Sequence, residues 1–168
     1  MQATTQLGMV VVGGTSSGYY TDVTRDGLVW TQGTNFPLSS YGMSSVIYAG
    51  DMLVFGSYSS RNAYRLKTAE CNGNINTEGC FMNWELIGSL LATRYYHRSV
   101  VKDNTVIHIG GTGSEGQEYI EKWTFNTTDS SMVLSQKTSS YSIKFDAPEA
   151  YSVPRNYCFP NVEIKYNL

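Results

Sequence analysis

The sequence predicts an all-β protein made of short antiparallel strands. The 168 residues include 16 Gly and 13 Tyr, residues typical of turns and strands rather than of helices. Hydrophobic residues make up 41% of the chain, which is enough to form a core. Charged residues make up only 15%. No stretch shows the sustained 3.6-residue periodicity of an amphipathic helix. We therefore expect strands joined by tight turns.

The charge balance and the apolar runs argue against two kinds of partner. Twelve Lys and Arg against fourteen Asp and Glu give a net charge of −2, so no nucleic-acid-binding surface is indicated. The longest apolar runs are far shorter than the ~18 residues of a membrane span. Met1–Leu7 lacks the basic and apolar regions of a signal peptide. We predict no nucleic-acid partner and no membrane span.

An internal repeat organises most of the chain. Three apolar runs end in small residues, at Met9–Gly14, Met52–Ser57 and Val106–Gly111. The glycines that end the strands within these runs are Gly13, Gly56 and Gly110. Their comparable separations along the chain predict three units of similar length.

The tryptophans follow the same spacing. Trp30 precedes Met43 by the same interval as Trp84 precedes His97. The interval from Trp30 to Trp84 also equals the interval from Gly56 to Gly110. The interval from Gly13 to Gly56 is shorter than the interval from Gly56 to Gly110. The additional residues of the second interval fall within Thr68–Asn83. We interpret this segment as a loop insertion.

Each unit is predicted to form four strands, A to D, in an antiparallel meander. The second unit places them at Met43–Tyr48, Met52–Phe55, Asn62–Lys67 and Trp84–Ile87. The third places them at His97–Val101, Thr105–Ile109, Tyr119–Phe125 and Met132–Gln136. The first unit has no clear A strand, and its other strands are expected at Met9–Val12, Tyr19–Val23 and Leu28–Thr31.

This pattern resembles the kelch repeat, which combines an apolar strand, a Gly-Gly pair, later Tyr and Trp residues and a spacing of ~50 residues. The resemblance covers Leu7–Gln136, and it is strongest over Arg94–Gly111 together with Trp123. Its signature residues here are Gly13, Gly14, Trp30, Gly56, Tyr64, Trp84, His97, Gly110, Gly111 and Trp123. Gly56-Ser57 departs from the glycine pair, and the third unit lacks a Trp on its last strand. The resemblance implies four-stranded kelch-type blades that form an incomplete β-propeller.

The predicted blades occupy approximately 7–38, 43–90 and 97–137 of a repeat region 1–138, and 139–168 follows as a separate segment. Within that segment, Tyr151–Val153 is expected to be a blade-completing strand, with a disordered tail as the alternative. Propellers close at ~4–8 blades, so three blades fall short. We expect a fragment of a larger propeller; self-association that completes a ring, or an open form, are the alternatives.

The signature residues are interpreted as structural. Trp30 and Trp84 are each expected to bury on the order of 200 Å² between neighbouring blades, with Tyr64 and Tyr119 wedged in the same way. The strand-ending glycines are expected to adopt positive φ. Arg94 is expected to hydrogen-bond backbone carbonyls.

The sequence offers no pattern typical of a catalytic or metal site. His97 and His108 are its two histidines; they are expected to lie close together, but without the further ligands that a metal requires. Galactose-oxidase-like enzymes share the blade type and need a copper site with Tyr and His ligands and a cross-linked Cys. Cys71, Cys80 and Cys158 are not placed to match it. We predict no enzyme activity, no cofactor and no metal; a fragment of such an enzyme and a purely structural extracellular repeat protein are the alternatives.

A protein-interaction scaffold is the favoured function. In kelch propellers the B–C and D–A loops share one face, where loops on a rigid scaffold carry function. Here these loops are rich in Ser, Gly and Tyr, a composition suited to adaptable contacts around aromatic anchors. The B–C loops are Thr15–Tyr20, Ser57–Arg61 and Thr112–Glu118, and the D–A loops are Gln32–Gly42 and Gly88–Tyr96. The candidate binding residues are Tyr58, Ser59, Arg61, Arg94 and Glu115, with Ser57–Arg61 as the predicted partner-contacting loop.

Two features favour an extracellular or secretory location over a cytoplasmic one. Asn126-Thr127-Thr128 is a glycosylation sequon. A disulfide between Cys71 and Cys80 would stabilise its loop by a few kcal/mol and would leave Cys158 unpaired.

Overall fold

The computed structural model describes residues 2–5, 8–13, 20–67, 83–113, 120–126 and 132–137. These residues form twelve strands and no helix. The strands are β1 Gln2–Thr5, β2 Gly8–Val12, β3 Thr21–Thr24, β4 Thr31–Gln32, β5 Ser44–Tyr48, β6 Asp51–Phe55, β7 Asn62–Lys67, β8 Asn83–Ser89, β9 Arg98–Lys102, β10 Thr105–Ile109, β11 Glu121–Phe125 and β12 Met132–Lys137.

The strands form three antiparallel sheets of four strands each. The first sheet contains β1 to β4, the second β5 to β8 and the third β9 to β12, and within each sheet consecutive strands are hydrogen-bonded. The predicted all-β class and its four-stranded meanders are therefore confirmed. No sheet closes on itself, and in the described residues no helix is long and apolar enough to cross a membrane.

The repeat found in the sequence is also present in the backbone. The first two strands of the second sheet, β5 and β6, have the same lengths and the same spacing as β9 and β10 of the third. Gly56 and Gly110, the equivalent strand-ending glycines, have φ of 56° and 64°, and Gly13 has φ of 68°. In the turns between the first two strands of the second and third sheets, Ala49 and Asp103 have φ of 50° and 53°. The positive φ predicted for the strand-ending glycines is confirmed at these three positions.

The first sheet corrects two predictions. β1 pairs antiparallel with β2, from Gln2 opposite Val11 to Thr5 opposite Gly8, so the expectation that the first unit lacks an A strand is wrong. β1 has no apolar run of its own, and backbone pairing to the apolar β2 places it in the sheet. The fourth strand is only Thr31–Gln32, shorter and later than the predicted Leu28–Thr31.

An aspartate turn explains the short fourth strand. The Asp26 carboxylate oxygen Oδ1 accepts hydrogen bonds from the backbone N–H of Leu28 at 2.8 Å and of Val29 at 3.0 Å. These bonds hold the chain in a turn where a strand was expected. Trp30, which follows the turn, is 45% exposed. The predicted burial of Trp30 between blades is therefore wrong.

The first and second sheets pack face to face around an aromatic centre. Phe36, in the connection between the sheets, makes edge-to-face contacts with Tyr64 at 5.4 Å and Trp84 at 4.8 Å between ring centroids. The Trp84 indole N–H donates to Thr21 Oγ1 of the first sheet at 3.1 Å. Tyr64 and Trp84 thus join two sheets, as predicted. The surrounding buried apolar residues are Val10, Val12, Val23, Met52, Val54 and Leu66.

The second sheet is covered on both faces because side chains alternate along its strands. On β6, Met52 and Val54 face the first sheet, while Leu53 and Phe55 face the third. The core between the second and third sheets consists of Val46, Tyr48, Leu53, Phe55, Ala63, Leu90, Val106, Trp123 and Phe125. The first strands lie side by side, with β5 in contact with both β1 and β9.

Candidate binding surface

Four tyrosines from the connections between strands form one aromatic cluster, which we call the tyrosine cluster: Tyr41, Tyr58, Tyr95 and Tyr96. Tyr41 and Tyr58 are stacked, with ring centroids 4.9 Å apart and planes 16° apart. Tyr95 contacts Tyr58 at 5.2 Å and Tyr96 at 5.2 Å, both edge to face. Residues far apart in sequence thus create a continuous aromatic surface.

Backbone hydrogen bonds hold the segments of this surface together. The N–H of Tyr58 donates to the carbonyl of Tyr41 at 3.0 Å, and the N–H of Tyr96 donates to the carbonyl of Gly42 at 2.7 Å. Tyr95 and Thr112 exchange two such bonds, each 2.8 Å long. We call the described segments 40–42, 57–61, 93–96 and 112–113 the loop face. They belong to B–C and D–A loops, which were predicted to share one face.

Glycine is required where two loops of this face meet. Gly42 has φ of 74°, and a Cβ at this position would lie 2.8 Å from Tyr95 Cβ. Any side chain would therefore push the Tyr95 loop away from the Tyr41 loop.

The tyrosine cluster is open to solvent and neutral. Tyr58 is 53%, Tyr96 47% and Tyr41 38% exposed, whereas Tyr95 is half-buried. Partial desolvation and the neighbouring phenols raise the pKa of Tyr41, so its hydroxyl keeps its proton at neutral pH.

The predicted partner-contacting loop Ser57–Arg61 lies in this face. Tyr58, Ser59 and Arg61 are exposed, while Ser57 is buried and donates to the carbonyl of Ser60 at 3.2 Å. The Ser59 hydroxyl bonds the Ser40 hydroxyl at 2.9 Å. The loop therefore turns inward at Ser57 and presents its middle to solvent.

Arg94 is not part of the accessible surface. Its side chain is fully buried, and Nη1 donates to the carbonyl of His108 at 3.3 Å. The predicted hydrogen bond to a backbone carbonyl is confirmed, and the placement of Arg94 among the binding residues is wrong. The guanidinium lies inside because it can donate hydrogen bonds to backbone carbonyls between the second and third sheets.

A buried carboxylate lies beneath the loop face. Glu121 accepts hydrogen bonds from the Trp123 indole N–H at 2.8 Å and from the backbone N–H of Leu91 at 3.1 and 3.2 Å. It thereby fixes the connection between the second and third sheets to β11. Glu121 has no signal in the sequence, because an isolated carboxylate gives no pattern.

The two histidines are close together, as predicted, and both are fully buried. Their ring centroids are 5.7 Å apart, and His108 Nδ1 lies 2.8 Å from Ser99 Oγ. Burial, aided by the charges of Arg94 and Arg98, lowers the pKa of His97 to about 3. Burial also lowers the pKa of His108. Both imidazoles are therefore neutral at physiological pH.

In the described segments no group of three or more His, Cys, Asp or Glu side chains is arranged to hold a metal ion. Several predicted features lie outside the described residues: Gly14, Cys71, Cys80, Glu115, Tyr119, Cys158 and the segment 139–168. Asn126 is described and partly exposed, and its glycosylation remains a prediction.

The sequence also contains a signal for the tyrosine cluster. Tyr41 and Tyr95 are separated by the same interval as Gly56 and Gly110, so they occupy the same position in consecutive units. Gly42 and Tyr96 are also equivalent, and both have positive φ, 74° and 56°. A tyrosine repeated at the same place in two D–A loops indicates that the two rings lie on one face.

Comparison with known proteins adds no relative. No protein family model matches the chain, and no curated protein matches it.

Proposed function

We propose that the protein is an interaction module of the kelch β-propeller type that binds a protein partner through its tyrosine cluster. The observation that carries this proposal is the cluster itself, in which four tyrosines from three loops form one neutral surface, with Tyr41, Tyr58 and Tyr96 exposed. The regular repeat of strand positions and the four-stranded meanders support the propeller type.

Tyrosine is well suited to this role. It presents a large apolar area together with a polar hydroxyl, and it loses little conformational entropy on binding because only two torsions are fixed. Tyrosines are enriched among the residues that dominate binding energy at protein interfaces. The ring contacts and backbone bonds at Tyr41, Tyr58 and Tyr96 hold the surface in place before a partner arrives, which lowers the entropic cost of association.

The neighbouring chemistry supports binding rather than turnover. The two histidines are buried and neutral, and the buried Glu121 is engaged by Leu91 and Trp123. These groups support the interface between the second and third sheets, and the exposed residues of the described loop face are three tyrosines, Ser59 and Arg61.

A peptide-display selection tests the proposal. The purified chain is the bait, and the pool is counter-selected on the double variant Tyr41→Ala/Tyr58→Ala. We expect enriched ligands whose affinity falls at least about tenfold in the double variant, as is typical of hot-spot residues. Trp30→Ala is the matched control, because Trp30 is similarly exposed but lies in the β3–β4 turn. Ligands that bind both variants as well as the unaltered chain, or no enriched ligand at all, would contradict the proposal.

A further inference from the structure

The two interfaces between sheets within the chain repeat each other. Residues are equivalent here when they lie the same distance before the strand-ending glycine of their own sheet. Val10 of the first sheet and Leu53 of the second are equivalent, and each is buried against the sheet that follows it. Met52 of the second sheet and Val106 of the third are also equivalent, and each is buried against the sheet that precedes it. Opposite faces of a sheet therefore receive the following and the preceding sheet.

The same equivalence assigns the two outer faces. Ile107 of the third sheet is equivalent to Val10 and Leu53. Val11 of the first sheet is equivalent to Val54, which is buried between the first and second sheets. The outer face of the third sheet thus corresponds to a face that receives a following sheet, and the outer face of the first to a face that receives a preceding one. Together they are the two halves of an interface that the chain already forms twice.

Both outer faces carry apolar side chains that are partly exposed. On the third sheet, Val100 lies opposite Ile107 in the pairing of β9 with β10. On the first sheet, Met9 and Val11 share one side of β2 because side chains alternate along a strand. All four residues are partly exposed. Apolar sheet faces of this kind favour association with a partner surface.

The charges on the two outer faces are opposite. Strand pairing makes Lys122 of the third sheet equivalent to Val23 of the first, and Asp22 of the first equivalent to Tyr64 of the second. Val23 and Tyr64 lie in the same buried cluster between the first and second sheets. The same packing between two copies therefore brings Lys122 and Asp22 to one interface, whereas contact between two like faces would bring equal charges together.

We propose that the outer face of the third sheet in one copy packs against the outer face of the first sheet in a second copy, repeating the interface between sheets of the chain. Because this contact joins two different faces, it closes into a ring or continues as a filament. Closed rings of four-stranded sheets typically contain ~4–8 sheets. Each copy has three sheets, so two copies fall within this range while one or three do not. We therefore expect a closed pair, formed without the tyrosine cluster.

Two variants, each altering one face, test this arrangement. Val11→Lys alters the face of the first sheet and Ile107→Lys that of the third. Masses in solution are measured by sedimentation velocity at several protein concentrations. We expect the unaltered chain to form pairs and each variant alone to remain a single chain, because every contact would then include an altered face that must desolvate a charge. An equimolar mixture forms pairs again, since the intact third sheet of Val11→Lys meets the intact first sheet of Ile107→Lys.

The mixed pair has one intact contact instead of two, so we expect its Kd to be at least about tenfold higher than that of the unaltered pair. Met9→Lys and Val100→Lys, on the same two faces, form a second set that gives the same pattern if either first variant fails to fold. Tyr58→Ala is the matched control, because Tyr58 is exposed on the loop face; it leaves the Kd of the pair within about twofold.

Several outcomes would overturn the inference. They are a single-chain mass for the unaltered chain up to millimolar concentration, pairs formed by one variant alone, a mixture that does not restore pairs, and species larger than two chains. Pairs of one variant alone would show contact between like faces. Pairing that persists when the display selection yields no ligand would contradict the function proposed above and leave this inference standing, so the two failures are distinguishable.

Discussion

Glu121 on β11 joins the third sheet to the connection that precedes it, through hydrogen bonds to Leu91 in that connection and to Trp123 on β11. Arg94 in the same connection also bonds the third sheet, through the carbonyl of His108 on β10. Both side chains are fully buried, and burying a charged group costs free energy that its hydrogen bonds offset. Polar residues therefore hold the connection that leads into the loop face, and the exposed tyrosines depend on them for position.

The buried His97 makes stability dependent on pH. Its pKa is lowered to about 3 in the folded protein, against about 6.5 in an unfolded chain. Between these values the unfolded state binds the proton more strongly, so this contribution is full above pH 6.5 and decreases as pH falls toward 3. We expect His97 to account for a loss on the order of 3 kcal/mol between pH 7 and pH 4.

Urea unfolding at several pH values measures this loss. His97→Leu removes the titrating ring, so we expect its stability to fall less steeply with acid than that of the unaltered chain. Trp30→Ala, which keeps His97, retains the original slope. Parallel profiles for His97→Leu and the unaltered chain would show that His97 does not carry the effect.

At the level of strands and turns, equivalent positions in the repeat meet different environments. Trp30 and Trp84 occupy the same place in consecutive units, yet Trp84 packs on Phe36 and bonds Thr21, while Trp30 is exposed. The difference arises from the turn at Asp26, which ends before β4 and leaves only Thr31 and Gln32 to pair with β3. Local turn chemistry thus overrides a repeated pattern.

The Asp26 turn gives a prediction of its own. Backbone hydrogen bonds from Val29 and Leu28 lower the pKa of the Asp26 carboxyl, so the ionised form stabilises the turn above its pKa and this stabilisation is lost as pH falls through it. We expect Asp26→Ala to speed hydrogen exchange at the amides of Leu28 and Val29 several-fold at pH 7. Asp26→Asn, which keeps one acceptor oxygen, gives an intermediate rate. Unchanged exchange in Asp26→Ala would contradict the role of the carboxylate.

In the whole molecule, the second sheet has both faces packed, whereas the outer sheets carry partly exposed apolar residues on the faces directed away from it. Val11 alternates with the buried Val10 on β2, and Ile107 alternates with the buried Val106 on β10. Apolar sheet faces of this kind favour association. Self-association was one of the alternatives left open by the sequence, and these faces lead us to expect that copies of the chain associate through their outer sheets.

Light scattering after size exclusion, at several protein concentrations, checks this association. We expect the mass to rise with concentration and to return to one chain in Ile107→Lys, because a charge on this face must be desolvated in a complex. Leu86→Lys is the matched control, since Leu86 is exposed on β8 of the second sheet and its substitution leaves association unchanged. A mass of one chain at every concentration would contradict the prediction.

Spacing in the chain was sufficient to predict the second and third sheets. Apolar runs that end at Gly56 and Gly110 specify where strands end, because side-chain alternation and positive φ are local requirements. The spacing of the repeat also places Tyr41 and Tyr95 at equivalent positions, but the burial of Arg94 and the exposure of Trp30 depend on contacts that this spacing does not specify. Tyr41 and Tyr58 stack at the end of the β5–β6 pair, where the N–H of Tyr58 donates to the carbonyl of Tyr41. Tyr95 reaches both rings because the connection from the second to the third sheet lies against them, and that contact is long-range.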